Sequence, residues 1–165
     1  MTNCGRYSKE STTLYDALKR GKMNKTQGRT LAQKLISGVQ QLHTKEIIHM
    51  DIKDDNVLLL NDTHPVIIDL GKATFIRDAK PLKVRDSEKP KWLKLYKWID
   101  PELISTNVTP STMSDMYSLG FLLKCISWNT SDEPLGGIAA GMMLQVSQRW
   151  KMTRVLANLN WLKSE

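Results

Sequence analysis

Cysteine is nearly absent from this chain. Of its 165 residues only Cys4 and Cys125 carry thiols, too few and too far apart for a disulfide framework or a C-x-x-C metal cluster. A reducing compartment follows as the expectation, and the cytoplasm is the plainest one. No apolar run approaches the roughly twenty residues a membrane helix needs, and no leader of the charged-then-apolar kind opens the chain. A membrane partner is therefore not expected, and the sequons at Asn24, Asn61, Asn107 and Asn129 read as chance matches. Glycine is sparse where a phosphate cradle would require it. Residues 1–48 hold only Gly5, Gly21, Gly28 and Gly38, none in G-x-G-x-x-G spacing, and Gly21-Lys22 lacks the rest of a P-loop. Internal repeats and low-complexity tracts are missing as well.

What remains is the composition of a folded domain: 41% hydrophobic and 25% charged residues, with a length that supports one core. The net charge of +7 is concentrated, because residues 72–97 contain nine basic side chains against Asp78, Asp86 and Glu88. Such a run is ordinarily a solvated, mobile loop; its long-range field also attracts phosphate or acidic peptides. No nucleic-acid partner is inferred from it.

Periodicity sketches the elements. Residues 1–12 are polar and read as a linker; Thr13 is placed to cap a short helix through about Arg20. Leu31, Leu35, Val39 and Leu42 repeat on one face of a helix expected from about Lys25 to Lys45. Val57–Leu60 and Val66–Ile68 read as two strands of a small hairpin, with Asn61 to Pro65 as the turn. Residues 113–128 are apolar nearly all round, which marks a central buried helix. A last helix is expected over residues 150–162.

The polar residues around the hairpin carry the chemistry. His49-Met50-Asp51-Ile52-Lys53-Asp54-Asp55-Asn56 precedes its first strand, and Asp69-Leu70-Gly71 follows its second. The turn therefore brings Asn56 and Asp69 to one edge. H-x-D-x-x-x-x-N followed by D-x-G resembles the catalytic loop and metal-binding turn of the eukaryotic protein kinases. Three further stretches resemble that family in order and register: Asp100-Pro101-Glu102 where Ala-Pro-Glu is usual, Ser114 to Gly120 on the central helix, and Gln148 to Leu156 opening the last helix. The resemblance covers residues 4 to 163 and implies a mainly α fold: the helical C-lobe of a protein kinase over residues 1–165, with a small two-stranded β-hairpin beside the catalytic loop. Its parts would be a hinge or linker at 1–12, a catalytic loop at 49–56, an activation segment at 69–102, and helices at 113–128 and 150–162.

By the same resemblance Asp51 is the base that orients the attacking hydroxyl, and Lys53 neutralises the transferred phosphoryl charge. Asn56 and Asp69 are oxygen donors for Mg2+, whose octahedral shell phosphates and water complete. Leu58 forms the floor of an adenine site for ATP, and His49 and Leu70 join an apolar stack linking two lobes. Gly71 closes the metal-binding turn. Glu102 and Arg149 are expected to form a buried ion pair, and Asp115 to hold the catalytic-loop backbone.

The departures matter equally. A Gly-rich roof, a strand lysine and a helix glutamate from the family's smaller N-lobe do not occur here, and Cys4-Gly5 to Leu18 resembles the hinge and first C-lobe helix. Met50 stands where an arginine usually reads an activation-loop phosphate, so switching by phosphorylation of Thr74, Ser87 or Tyr96 loses its receiver. Only 28 residues separate Gly120 from Arg149, so the middle helices must be short. Three functions compete: a partial ATP- and Mg2+-dependent protein kinase, with Ser/Thr substrates favoured by Lys53; a pseudokinase-like half-domain that binds partner kinases or their substrates without catalysis; and a small-molecule phosphotransferase. The last shares the loop pattern but does not predict Asp100-Pro101-Glu102. A protein substrate or partner kinase is expected, and the apolar face beneath the missing lobe offers a site for a heterodimer.

Overall fold

The computed structural model describes residues 11–21, 23–60 and 64–163, the last of these without its side chain. The Cys4-Gly5 hinge and most of the expected linker lie outside the described residues. Where the linker was expected to continue, Thr12 and Thr13 instead form strand β1, paired antiparallel with Leu59 and Leu58. Helix α1 (Leu14–Arg20) begins where the Thr13 side chain accepts from the Asp16 amide, and it ends at Gly21 with φ 63°. That left-handed position suits a residue without Cβ. Helix α2 (Lys25–His43) opens with a reciprocal cap in which Asn24 and Gln27 each accept the other's amide.

A two-residue strand β2 (Ile47–Ile48) leads into the polar loop. Strands β3 (Val57–Leu60) and β4 (His64–Ile67) form the expected hairpin, although β4 begins and ends earlier than the apolar run indicated. Pro65 is tolerated because β4 is an edge strand of the β1-β3-β4 sheet. Strand β5 (Thr74–Phe75) pairs with β2, fastening the start of the activation segment to the loop's entry.

The basic stretch is not wholly a mobile loop. Helix α3 (Lys89–Leu95) folds within it, and Trp92, Tyr96 and Trp98 stack edge to face, with successive centroids 5.0 and 5.5 Å apart. Aromatic area supplies the ordering that lysines cannot. Helix α4 (Pro101–Ser105) follows, then α5 (Thr112–Thr130), α6 (Glu133–Met142) and α7 (Met152–Lys163). Helix α5 is the axis of the core: Met116, Leu119, Leu122, Leu123 and Ile126 are buried against α2, α6 and α7. Helix α6 had no clear sequence signal, since Pro134, Gly136, Gly137 and Gly141 interrupt its pattern. The glycines permit close contact. A Cβ on Gly120 would lie 2.7 Å from that of Met142, and one on Gly141 would enter the Trp150 indole. No helix among the described residues is long and apolar enough to cross a membrane.

Two buried carboxylates lock the helices. Asp132 accepts from Arg29 Nε at 2.7 Å, while the same guanidinium donates to the Leu162 carbonyl at 2.7 Å, so α2 is tied to both α6 and α7. The second lock corrects the expected pairing of Glu102 with Arg149. Arg149 instead donates to both oxygens of buried Asp100, at 2.5 and 3.2 Å, and to the Met113 carbonyl. Glu102 lies 3.9 Å from the guanidinium, has a third of its side chain exposed, and accepts from the Val146 amide. Asp100 therefore displaces Glu102 as the principal counter-ion: its shorter side chain starts two residues earlier and fits the bidentate geometry. Urea unfolding should show Asp100→Ala losing about 3–5 kcal/mol, because a buried arginine is left without its carboxylate. Glu102→Ala should lose about 1 kcal/mol or less. Equal losses would contradict this assignment.

Candidate active site

The loop at residues 49–56 is built around an acid outside it. Asp115, buried in the first turn of α5, accepts from the His49 amide at 2.8 Å and the Met50 amide at 2.9 Å; the His43 ring lies 3.0 Å from the same carboxylate. These bonds hold Met50 at φ 68°, a left-handed conformation that a side chain with a Cβ rarely adopts. The loop consequently reverses direction just before Asp51.

His49 carries the constraint onward. It is fully buried, its Nε2 donates to the Ile68 carbonyl at 3.2 Å, and its Nδ1 accepts from the Asp51 amide at 3.3 Å. The two bonds together require the neutral tautomer with the proton on Nε2. One imidazole thereby couples the loop to the residue preceding Asp69. The Asn56 carbonyl accepts from the Ile68 amide at 2.9 Å, and this second link sets Asn56 beside Asp69 on the hairpin's edge.

Asp51 is buried and heavily solvated by protein donors. Trp98 Nε1 donates to Oδ1 at 3.1 Å; Asn56 Nδ2 donates to Oδ2 at 3.1 Å and to the Asp51 carbonyl at 2.9 Å. Lys72 Nζ stands 3.1 Å from Oδ2, and Lys53 Nζ 3.7 Å from it. Lys53 also lies over the Trp98 ring. Burial alone would raise the Asp51 pKa, but the Lys72 ammonium, the Trp98 N–H and the Lys53 charge outweigh it and hold the carboxyl below its ordinary value.

Asp69 is exposed and left-handed, with φ 63°, and its Oδ1 accepts from the Gly71 amide at 3.1 Å. A Cβ on Gly71 would meet that oxygen at 3.0 Å. The fit to a cation rests on donor chemistry. Asn56 spends its amide nitrogen on Asp51, which leaves its oxygen as the ligand atom, and Asp69 retains a carboxylate oxygen. Two hard oxygens from protein suit Mg2+ held largely by phosphates and water; among the described residues no cluster of three or more acidic, histidine or cysteine side chains forms a metal cage. Leu58 is half-buried on the central strand β3, between Thr13 and Val66.

Several placements differ from expectation or were missed. Leu70 is 58% exposed instead of packed in an apolar stack, while His49 is inside. Lys72 and Trp98 had no assigned role, yet both touch Asp51. The signal for Trp98 was its spacing with Trp92 and Tyr96 in a stretch otherwise fit for solvent. Lys72 had none beyond its position after Gly71. A cavity of about 250 Å³ lies beside Met50 and Asp115, lined in part by Leu82, Trp92, Ile99 and Leu103.

The model of the protein kinase domain matches residues 6–159. The chain is 31% identical over 111 residues to serine/threonine-protein kinase shk2 of Schizosaccharomyces pombe, covering 67% of this chain and 18% of that protein. It is 30% identical over 118 residues to 3-phosphoinositide-dependent protein kinase 1 of Rattus norvegicus, covering 71% and 20%. With CBL-interacting serine/threonine-protein kinase 17 of Arabidopsis thaliana it shares 31% over 114 residues, covering 68% and 26%. The chain thus spans about a quarter or less of the curated relatives it matches.

Because the folded pKa of Asp51 is lowered, its contribution to stability is complete above the unfolded value near 3.8 and is lost as pH falls through the folded value. A carbon-detected titration should place the Asp51 midpoint below 3.8, and Lys72→Met should raise it. A wild-type midpoint at or above the ordinary value would contradict the geometry.

Proposed function

The chain belongs to the protein kinase family, and from that premise we propose that it carries the lower half of a site for phosphoryl transfer from ATP to a protein hydroxyl, serine or threonine favoured. The observation that carries this reading is the joining of Asp51 to the Asp69 turn through the His49 imidazole, with Asn56 tied to the same turn by the Ile68 amide. In the proposed mechanism Asp51, kept ionised, orients the hydroxyl and takes its proton as the oxygen attacks phosphorus. Lys53 stands beside the base to offset charge on the transferred group. Asn56 and Asp69 would hold Mg2+, which would supply charge neutralisation for the phosphates. Leu58 would form the floor of the adenine site. The Ser/Thr preference is supported by Lys53 two positions after the base and by the likeness to two serine/threonine-protein kinases, shk2 and CBL-interacting kinase 17. The phosphates still need donors from above, so we propose that function is complete only with an N-lobe.

A second reading has its own observation. With Trp98 and Lys72 both on the Asp51 carboxylate, the base has little acceptor capacity left for a hydroxyl, as a non-catalytic binding module would allow. The protein partner of that module is a kinase or its substrate, and the cytoplasm is the proposed location of either form.

The 165 residues should bind Mg-ATP at roughly 1 mM or weaker, since half the contacts are missing. In amide NMR spectra at several millimolar nucleotide, shifts should centre on Asn56, Leu58 and Asp69, and Asp69→Asn should remove their Mg2+ dependence. The absence of shifts at those residues would overturn the kinase-site reading, and a micromolar constant would contradict the half-site.

A further inference from the structure

The basic activation segment separates into two populations. Lys72, Arg77, Arg85 and Lys89 each have a carboxylate within 4.0 Å, namely Asp51, Asp78, Glu88 and Asp86. Lys80, Lys83, Lys91, Lys94 and Lys97 are exposed and have no ion pair among the described residues. All three acids of residues 72–97 are already engaged within that stretch, so the remaining charge has no counter-ion there.

These lysines are also held in place. Lys91 and Lys94 ride on α3 one turn apart, and Lys97 separates Tyr96 from Trp98 in the sequence of the aromatic stack. Leu95, 52% exposed, stands one turn beyond Lys91, so the face combines positive charge with apolar contact. It also begins at the site: Trp98, adjacent to Lys97, donates to Asp51 Oδ1 at 3.1 Å. A hydroxyl brought to Asp51 would therefore sit beside Trp98, one residue from Lys97. Helix α3 is about 10 Å long, the span of roughly three extended residues.

We propose that Lys91, Lys94 and Lys97 form a docking face for the acidic flank of the protein substrate, selecting hydroxyls with glutamate or aspartate within a few residues. The inference rests on the reading of Asp51 as the base, which fixes where the acceptor lies. Charge complementarity supplies the attraction and register, while Leu95 offers contact for an apolar residue among the acids.

The test uses the whole chain and needs no nucleotide. Fluorescence anisotropy is measured with a labelled serine peptide flanked by glutamates and with its glutamine counterpart, at low and physiological salt. The glutamate peptide should bind about tenfold more tightly, and Lys91→Gln with Lys94→Gln and Lys97→Gln should erase that advantage. The same charge loss placed at Lys19, Lys25 and Lys151, all exposed and elsewhere, should leave affinity within about twofold. Equal binding of the two peptides, or equal weakening by both triple variants, would overturn the proposal. So would a random single-stranded oligonucleotide that binds the three lysines more tightly than the peptide does, since the face would then recognise nucleic acid. Failure here leaves the Mg-ATP shifts at Asn56 and Asp69 standing, and failure of those shifts leaves this measurement standing.

Discussion

The Asp115 carboxylate is the point from which the site is organised. It sits at 1% exposure on the helix that forms the core axis, near that helix's N-terminus, where the backbone dipole favours negative charge. Two loop amides and the His43 ring fill its oxygens. A loop has few apolar contacts of its own, so its shape must be imposed by a rigid neighbour. Here the imposed shape includes a left-handed methionine, a conformation costing about 1–3 kcal/mol that persists only when the surroundings determine it. Its direct product is the direction of Asp51. Through the His49 ring the same constraint reaches Ile68, and the next residue is Asp69, the second left-handed non-glycine of the site.

The stretch at residues 69–102 is held at both ends by different physics. At its start β5 pairs with β2 beside the loop; at its end Asp100 is clamped by Arg149. The substitution of aspartate for the usual alanine is therefore consequential: it supplies the carboxylate that Arg149 uses and releases Glu102 to the surface. Between those anchors the aromatic stack folds back until Trp98 meets Asp51. That contact makes the segment part of the base's environment. Lys72 adds a positive charge from the other side, and the carboxyl stays ionised although it is buried.

Much of this was legible in the sequence, for identifiable reasons. Helices α1, α2 and α5 announced themselves through Thr13 as cap, the Leu31 to Leu42 stripe, and an apolar surface on every side. The order of Asp51, Asn56 and Asp69 around a hairpin was readable because a tight turn forces proximity. Helix α6 was not, because its glycines earn their place only against Met142 and the Trp150 ring, contacts across helices that a linear pattern does not display. The Asp100–Arg149 pair joins residues 49 positions apart, and nothing local distinguishes Asp100 from Glu102 as the partner. Trp98 was hidden by its neighbours, since nine basic residues made the stretch look like solvent-bound loop. Leu70 was expected inside by resemblance, yet it is exposed.

Asp115, a buried acid of α5, fixes the loop at residues 49–56 as firmly as it is itself held in the helix. Native-state hydrogen exchange reads this directly, because loop amides ordinarily exchange through small local openings while core-helix amides await global unfolding. The account predicts that the His49 and Met50 amides exchange with the same opening free energy as those of Leu119 and Leu122, despite lying in a loop. Exchange of both at the rates of an open loop, with α5 still protected, would contradict it.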